Sequence, residues 1–216
     1  MFDLDGVLVD SEQLWNRAKE TVVREAGGRW REDAPQAMMG MSSREWSTYL
    51  RDRLGVERDV DEIDREVVRR MEQLYRARLP LLPGALDAVS ALHERWPLGL
   101  ASSSNREVID LVLDLAGIAD AFVATVSSEE VDRGKPAPDV YLETARRVGV
   151  APDRCVAVED SSNGLRAAAA AGMAVIAVPN PHYPPDADAL ALASATTNTL
   201  EALTPALVER LGQIPR

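Results

Sequence analysis

The second half of the chain alternates short apolar runs with helical patterns, and this alternation limits the fold more than any other feature. After Leu82-Pro83-Gly84, apolar runs occupy residues 98–101, 121–126, 155–158 and 174–178. Strands that alternate with helices are typical of βαβ units, which form parallel sheets through right-handed crossovers. Ligands of such sheets bind at the carboxyl ends of the strands. The sequence therefore predicts an α/β fold with its site at that edge.

The first half has a different pattern. From Glu12 to about Leu79 apolar residues recur at helical spacing, as at Trp15, Ala18 and Val22, and no strand pattern interrupts them. Only Met1 and Phe2 precede Asp3, so the first strand is expected to be very short. We therefore predict a core domain of residues 1–11 and 81–216, with a small all-helical domain of residues 12–80 inserted after the first strand.

Composition excludes several classes of partner. The chain has 24 basic and 35 acidic residues, a net charge of −11, and no cluster of lysine or arginine. Duplex nucleic acid and anionic membranes are therefore not expected as partners. No signal peptide or membrane-spanning apolar segment is recognisable, and the one cysteine, Cys155, lies in an apolar run. We expect a cytoplasmic monomer.

Polar residues follow the predicted strands directly. Asp3 and Asp5 come before Gly6, and their spacing along a strand places both side chains on one side. Further polar residues at strand ends are Ser102, Lys135, Glu159 and Asp160. Each has an ordinary explanation as a turn, a helix cap or a surface charge, but all of them together at one edge are improbable by chance. Clustered carboxylates repel each other unless a divalent cation offsets their charge.

Four motifs carry a family resemblance. They are Phe-Asp-Leu-Asp-Gly-Val-Leu-Val-Asp-Ser, Ala-Ser-Ser-Ser-Asn, Gly-Lys-Pro-Ala-Pro-Asp and Val-Glu-Asp-Ser-x-x-Gly. With them the chain resembles phosphatases of the haloacid dehalogenase superfamily, in the subgroup that holds β-phosphoglucomutase and the small sugar-phosphate phosphatases. The resemblance implies a Rossmann-like, doubly wound parallel sheet with a helical cap over its catalytic edge.

The resemblance also implies roles for the strand-end residues. Asp3 corresponds to the nucleophile that accepts the phosphoryl group, and Asp5 to the general acid and base. Ser102 would donate a hydrogen bond to the phosphoryl oxygens, and Lys135 would neutralise their charge. Mg²⁺ would be bound by the Asp3 carboxylate, the Asp5 backbone carbonyl and Asp160, with Glu159 helping directly or through water.

The residues that select the substrate are less clearly indicated. In this subgroup the cap contacts the leaving group, so Arg44 and Trp15 are candidates, together with Ser103 and Asn105 at the mouth of the site. Other candidates are Asn16, Met38, Met39, Met41, Trp46, Ser104 and Arg106. The apolar ones serve equally as the core of a small helical domain, and Arg44 serves equally as part of a surface ion pair.

These observations favour Mg²⁺-dependent hydrolysis of a small sugar or polyol phosphate through an aspartyl phosphate. A β-phosphoglucomutase-type phosphohexomutase is the alternative, although Trp15 stands where those mutases carry a histidine. Phosphonate hydrolysis would need a cap lysine, and the spacing of the only one, Lys19, does not single it out. Dehalogenation is disfavoured because Asp5 is present. A catalytically idle binding protein of the same fold is a second alternative.

Overall fold

The computed structural model describes residues 1–39 and 41–212, and it has the predicted α/β fold. Its strands are β1 (Leu98–Ser102), β2 (Phe122–Ser127), β3 (Val156–Glu159), β4 (Ala174–Ala177) and β5 (Ala195–Thr196). All of their pairings are parallel: β1 pairs with β2, β3 with β4, and β4 with β5. The short β5 is not foreseen by the sequence pattern.

Residues 1–3 join the two halves of the sheet. Phe2 forms parallel bridges to Leu100 of β1 and to Val158 of β3. The amide of Phe2 donates to the carbonyl of Gly99 at 2.8 Å, and the amide of Asp3 donates to the carbonyl of Val158 at 3.0 Å. Residues 1–3 therefore pair on both sides and give the order β2, β1, residues 1–3, β3, β4, β5.

Helices cover both faces of the sheet. They are α5 (Ala85–His93), α6 (Arg106–Ala116), α7 (Asp139–Val148), α8 (Ser162–Ala170), α9 (Ala187–Leu190) and α10 (Pro205–Gly212). The buried residues of α5, α6 and α10 share one apolar cluster, and those of α7, α8 and α9 share another. Neighbouring strand residues such as Leu100 and Ala101 belong to opposite clusters, as the alternation of side chains along a strand requires. The sheet is therefore doubly wound.

The remaining helices lie between the first strand and α5. They are α1 (Glu12–Glu25), α2 (Ala34–Met38), α3 (Ser43–Leu54) and α4 (Val60–Ala77), and we refer to them as the helical unit. Its core includes Val22, Leu50, Ile63 and Met71, each 0% exposed. No strand occurs in the described part of this stretch, in which Gly40 is not described.

The two connections between the helical unit and the sheet run side by side. Val9 forms an antiparallel bridge with Leu81, and the amide of Asp10 donates to the carbonyl of Pro80 at 2.8 Å. The amide of Leu82 donates to the carbonyl of Leu8 at 3.0 Å. The predicted division at residues 11/12 and 80/81 falls at these connections and stays a prediction, and residues 213–216 of the predicted core domain lie outside the described residues. None of the described helices is long and apolar enough to cross a bilayer.

Candidate active site

The predicted strand-end residues meet at the carboxyl edge of the sheet. The Nζ atom of Lys135 donates to Oδ1 of Asp3 at 2.6 Å, to Oε1 of Glu159 at 2.6 Å and to the carbonyl of Ala101 at 3.0 Å. Asp3 and Lys135 are each 5% exposed, and Glu159 is fully buried. Lys135 therefore links the ends of the first strand, β1 and β3 at a single atom.

Burial and crowding shift the pKa values of these groups. Burial raises the pKa of the Asp3 carboxyl to about 8, while the Lys135 ammonium opposes the shift. Burial, together with Glu159 and Asp3, raises the pKa of Asp160 well above its ordinary value. Burial alone would lower the pKa of Lys135, but the two carboxylates beside it outweigh burial and the net shift is upward. The cluster therefore holds more negative charge than one ammonium can neutralise.

The donor set suits a divalent cation. One oxygen each from Asp3, Glu159 and Asp160 lies within 4.8 Å of the others. Hard carboxylate oxygens are the ligands that Mg²⁺ and Ca²⁺ take in proteins. A cation would also offset the surplus negative charge that raises the pKa values of Asp3 and Asp160. The buried carboxylates that the sequence places at this edge therefore fit a divalent metal ion.

Glu159 differs from the other two carboxylates because protein donors already surround it. Its Oε1 accepts hydrogen bonds from Lys135 and from the hydroxyl of Tyr141 at 2.7 Å. Its Oε2 accepts from the amide of Asp160 at 3.1 Å and from the Ser161 hydroxyl at 3.2 Å. Asp3 and Asp160 are therefore freer than Glu159 to bind a metal ion, and Glu159 anchors Lys135.

Asp5 is held by three side-chain donors. Its Oδ1 accepts from the hydroxyl of Ser11 at 2.5 Å and from Nε1 of Trp15 at 2.9 Å, and its Oδ2 accepts from the hydroxyl of Ser104 at 2.5 Å. Ser104 follows β1, and Trp15 belongs to the helical unit. The carboxyl group assigned to proton transfer is thus fixed from both sides of the cleft.

Two small adjoining cavities open at this edge. One, of about 70 Å³, is lined by Asp3, Lys135 and Asp160 among others, and the second, of about 80 Å³, is lined by Trp15 and Lys19 among others. Asp5, Glu12 and Ser103 line both cavities. A larger apolar hollow of about 420 Å³ lies at the opposite edge of the sheet and is lined by none of the predicted site residues.

The structure brings some of the predicted substrate-binding residues to these cavities and leaves others outside. Ser103 lines both cavities, and Trp15 lines the second while it holds Asp5. Ser102 is fully buried at the end of β1, and its hydroxyl oxygen accepts from the amide of Ser104 at 3.0 Å. Its own hydroxyl hydrogen remains available as a donor.

Asn105 and Arg44 line neither cavity. Asn105 is 2% exposed, and its Nδ2 donates to both carboxylate oxygens of Asp64 in α4 and to Glu129. The Arg44 side chain is 82% exposed and forms an ion pair with Asp61 at 3.7 Å, beside a neighbouring groove of about 780 Å³. The substrate-binding roles of Asn105 and Arg44 stay predictions.

Sequence reasoning missed several residues that the structure places at the site. Ser11 binds Asp5, Tyr141 binds Glu159, and Lys19 lines the second cavity. Asn180 and Tyr183 line the first cavity from the loop after β4. That loop leaves the carboxyl end of a parallel strand, and its position was the signal that could have identified it.

Comparison with known proteins identifies a family and similar enzymes. The family model for haloacid dehalogenase-like hydrolases matches residues 1–172. Hexitol phosphatase B of Escherichia coli (strain K12) is 36% identical over 221 residues, which cover 94% of this chain and 93% of that protein.

Solved structures are also similar. CbbY from Rhodobacter sphaeroides, in complex with phosphate, superposes with a TM-score of 0.86 at 27% identity and covers 96% of this chain and 97% of its own. β-Phosphoglucomutase from Clostridium difficile has a TM-score of 0.84 at 22% identity, covering 98% of this chain and 95% of its own, and this likeness shows the fold alone. By its motifs, its fold and the matched family model, the chain belongs to the haloacid dehalogenase-like hydrolases.

Proposed function

We propose that the protein is a Mg²⁺-dependent phosphatase that hydrolyses a small sugar or polyol phosphate. The observation that carries this proposal is the contact of Lys135 with both Asp3 and Glu159, within reach of Asp160, at the carboxyl edge of the sheet. Hexitol phosphatase B, the relative with 36% identity, supports the substrate class by its name.

The chain's own residues supply the chemistry in two steps. In the first, a carboxylate oxygen of Asp3 attacks phosphorus, the bond to the leaving oxygen breaks, and Asp5 protonates that oxygen. In the second, Asp5 takes a proton from water, the water oxygen attacks phosphorus, and the Asp3 carboxylate is released with inorganic phosphate. Lys135 favours the ionised form of Asp3, against the effect of burial, and neutralises phosphoryl oxygens.

A metal would be held by Asp3, Asp160 and the backbone carbonyl of Asp5, with Glu159 behind them. When bound, Mg²⁺ supplies positive charge to the phosphoryl oxygens and offsets the carboxylates around them. We infer Mg²⁺ because phosphoryl-transfer sites often bind it through one or two carboxylates and substrate phosphate.

The mutase alternative is less well supported. A mutase must return the phosphoryl group from Asp3 to a second hydroxyl and keep water away from it. Trp15, at the position where the mutases carry a histidine, instead donates its Nε1 hydrogen to Asp5. The idle-protein alternative is also disfavoured, since Asp3, Asp5, Lys135 and Asp160 are all present and line one cavity.

We further propose that the enzyme works as a cytoplasmic monomer on phosphorylated metabolites and binds no nucleic acid or membrane. The net charge of −11 supports the absence of polyanionic partners.

The test is phosphate release from a panel of phosphorylated metabolites with Mg²⁺, with phosphate migration on hexose 1-phosphates followed in parallel. We expect Asp3→Asn to lower kcat by at least about a thousandfold, because an amide cannot form the aspartyl phosphate. Asp10→Asn is the matched control, since Asp10 is an exposed carboxylate in the same segment.

Full activity in Asp3→Asn would exclude Asp3 as the nucleophile. Isomerisation of a hexose 1-phosphate without phosphate release would favour the mutase. If neither reaction occurs on any ester, the idle binding protein becomes the better description.

A further inference from the structure

The helix α1 presents three side chains to the second cavity. Two of them, Glu12 and Lys19, have no role in the proposed chemistry, and Trp15 only donates a hydrogen bond to Asp5. Glu12, Trp15 and Lys19 stand at positions i, i+3 and i+7, so they share one face of the helix. All three line the cavity of about 80 Å³. The face therefore offers a carboxylate, an indole and an ammonium group in a row.

Lys19 is buried and has no hydrogen-bond acceptor in the part of the chain that the structure describes. It is 7% exposed, and its Nζ lies 5.4 Å from the ring centroid of Trp15 and 5.1 Å from that of Trp46. Among residues 1–39 and 41–212, no acceptor lies within hydrogen-bond distance of its three N–H groups, and no carboxylate lies within 4.0 Å. Two aromatic faces offset part of the cost of burying the charge, but they do not replace a hydrogen-bond acceptor for the N–H groups that face the cavity.

Glu12, two helical turns before Lys19 on the same face, also has no hydrogen-bond partner for its carboxylate among the described residues. It is half-buried, and burial raises the pKa of its carboxyl while Lys19 opposes the shift. No donor in the described part of the chain forms a hydrogen bond with its carboxylate, and it forms no close ion pair with Lys19. A gap therefore separates a donor from an acceptor, and both face the same cavity.

The cavity continues from the phosphoryl end of the site. Asp5, which we assign to protonating the leaving oxygen, lines both this cavity and the one that holds Asp3, as do Glu12 and Ser103. The atoms of the leaving group that follow the protonated oxygen would therefore enter the space between Lys19 and Glu12. This inference rests on the proposed function, because it needs a phosphomonoester bound at Asp3.

The charges in the cavity decide which chemical group fits there. A second phosphate or a carboxylate would accept from Lys19 but would face the carboxylates of Glu12 and Asp5. A hydroxyl can accept from Lys19 and donate to Glu12 at once, and the carbon skeleton beside it can pack on the indole of Trp15.

We propose that Lys19 and Glu12 are specificity-determining residues that bind one hydroxyl of the leaving group between them. Lys19 donates to the hydroxyl oxygen, and the hydroxyl donates to Glu12. The substrate is then a phosphate ester of a polyhydroxylated alcohol, and the pair selects it over an alkyl ester of equal length.

The experiment compares two pairs of esters that differ only in hydroxyl groups. They are glycerol 3-phosphate against propyl phosphate, and a hexitol 6-phosphate against hexyl phosphate. For each pair, the ratio of kcat/KM for the hydroxylated ester to that for the alkyl ester is measured in the wild type and in Lys19→Met, Glu12→Gln and the double variant. Met keeps an unbranched apolar side chain in place of the lysine stem, and Arg17→Met is the control for loss of a charge, since Arg17 is exposed on the same helix.

In at least one pair we expect each single substitution to lower the ratio at least tenfold, mainly through a higher KM for the hydroxylated ester. The double variant should fall no further than the worse single variant, because both residues bind the same hydroxyl. Arg17→Met should keep the wild-type ratio. Inhibition by the free polyol should weaken in the same variants, which measures binding without turnover.

Equal losses for hydroxylated and alkyl esters in Lys19→Met would overturn the proposal and assign Lys19 a structural role, and so would an unchanged ratio. Thermal melts identify any variant that fails to fold, and in that event Glu12→Gln, which alters a half-buried side chain, decides the question. Failure of the proposed function is distinguishable, since the wild type would then release phosphate from neither kind of ester.

Discussion

Two glycines let carboxylates approach the backbone at the site. Gly6 has φ of 79°, and a Cβ atom there would overlap the carboxylate of Asp160. A Cβ on Gly164 would overlap the carboxylate of Glu159 in the same way. The absence of these side chains is therefore a condition for placing two acidic groups beside Asp3.

We expect Gly6→Ala to destabilise the protein more than Gly27→Ala. Both glycines have positive φ, but nothing lies within 4 Å of a Cβ on Gly27. Gly27→Ala should therefore cost only the backbone strain, about 1–2 kcal/mol. Gly6→Ala adds the overlap with Asp160 to this strain. The free energy of unfolding should therefore fall by more than about 3 kcal/mol in Gly6→Ala.

Urea unfolding measures the free energy of unfolding of each variant, and calorimetric titration with Mg²⁺ measures the affinity for the ion. Gly6→Ala should weaken Mg²⁺ binding, whereas Gly27→Ala should not. Equal unfolding free energies for the two variants would contradict the overlap argument.

The position of Lys19 shows what the sequence does not reveal about single residues. Asp3, Lys135 and Asp160 were predictable because each directly follows a strand or lies in a short loop after one, and parallel strands bring such positions together. Lys19 lies in a helix whose apolar residues Trp15, Ala18 and Val22 already account for one face. Whether the neighbouring stripe faces solvent or a cavity depends on how the helix docks, and helical periodicity does not contain that information.

At the scale of elements, α4 is tied to the start of α6 by one side chain. Asn105 precedes α6, and its Nδ2 donates to Asp64 of α4 at 3.1 and 3.2 Å and to Glu129 at 2.8 Å. Two carboxylates thus share one amide group across the boundary between the helical unit and the sheet. Burial raises the pKa of Asp64 to about 6, and the nearby Glu129 adds to the shift while Asn105 opposes it.

The burial of Asp64 at this boundary should make stability depend on pH. The folded protein keeps the Asp64 proton up to about pH 6, whereas an unfolded chain loses it near the ordinary value of 3.8. Its contribution to the free energy of unfolding therefore falls as pH rises through that window, and the penalty is complete above about pH 6. Asp64→Asn removes the penalty, so its stability relative to the wild type should rise from pH 4 to pH 7.

Urea unfolding of both proteins at several pH values gives the comparison. Asp61→Asn, which removes an exposed carboxylate from the same helix, controls for the loss of one negative charge. The same pH slope in both variants would show that the burial of Asp64 is not the source of the pH dependence.

Element boundaries were predictable to different degrees. The helix α7 is an example of predictable ends, because it lies between Pro138 and Gly149, and both residue types are typical of helix ends. The strands after Leu82 lie within about two residues of the predicted runs. The helices α2 and α9 and the strand β5 were missed, because they have 5, 4 and 2 residues and are too short to show a period.

At the scale of the whole molecule, the site concentrates negative charge in a protein that is already acidic. In a chain with net charge −11, one oxygen atom from each of three carboxylates lies within 4.8 Å of the other two. Charge repulsion of this kind opposes folding unless a cation binds the folded state.

We therefore expect Mg²⁺ to stabilise the protein. At a hundred times its dissociation constant, the ion adds about 2.7 kcal/mol to the free energy of unfolding. For a chain of this size that corresponds to a rise in Tm of about 5–10 °C. Thermal melts in Mg²⁺ and in a chelator at matched ionic strength give the measurement.

Asp160→Asn should abolish most of this rise, because it removes one of the two carboxylates that are freer to bind a metal ion. A Tm that is the same with Mg²⁺ and with the chelator would be evidence against the metal site. Release of phosphate should follow the same metal dependence.

The pairing of residues 1–3 with strands far along the chain has a consequence for biosynthesis. Phe2 bridges Leu100 and Val158, so the segment that carries Asp3 completes its pairing only after residue 158 has been made and has left the ribosome. At about 5–20 residues per second, this takes roughly 8–30 seconds. During that interval the buried residues Phe2, Leu4, Val7 and Leu8 have no sheet to enter, while the helical unit that follows them can already fold from local contacts. Asp3, the proposed nucleophile, thus reaches its place long after it has been translated, and the nascent chain presents an apolar segment that chaperones can bind.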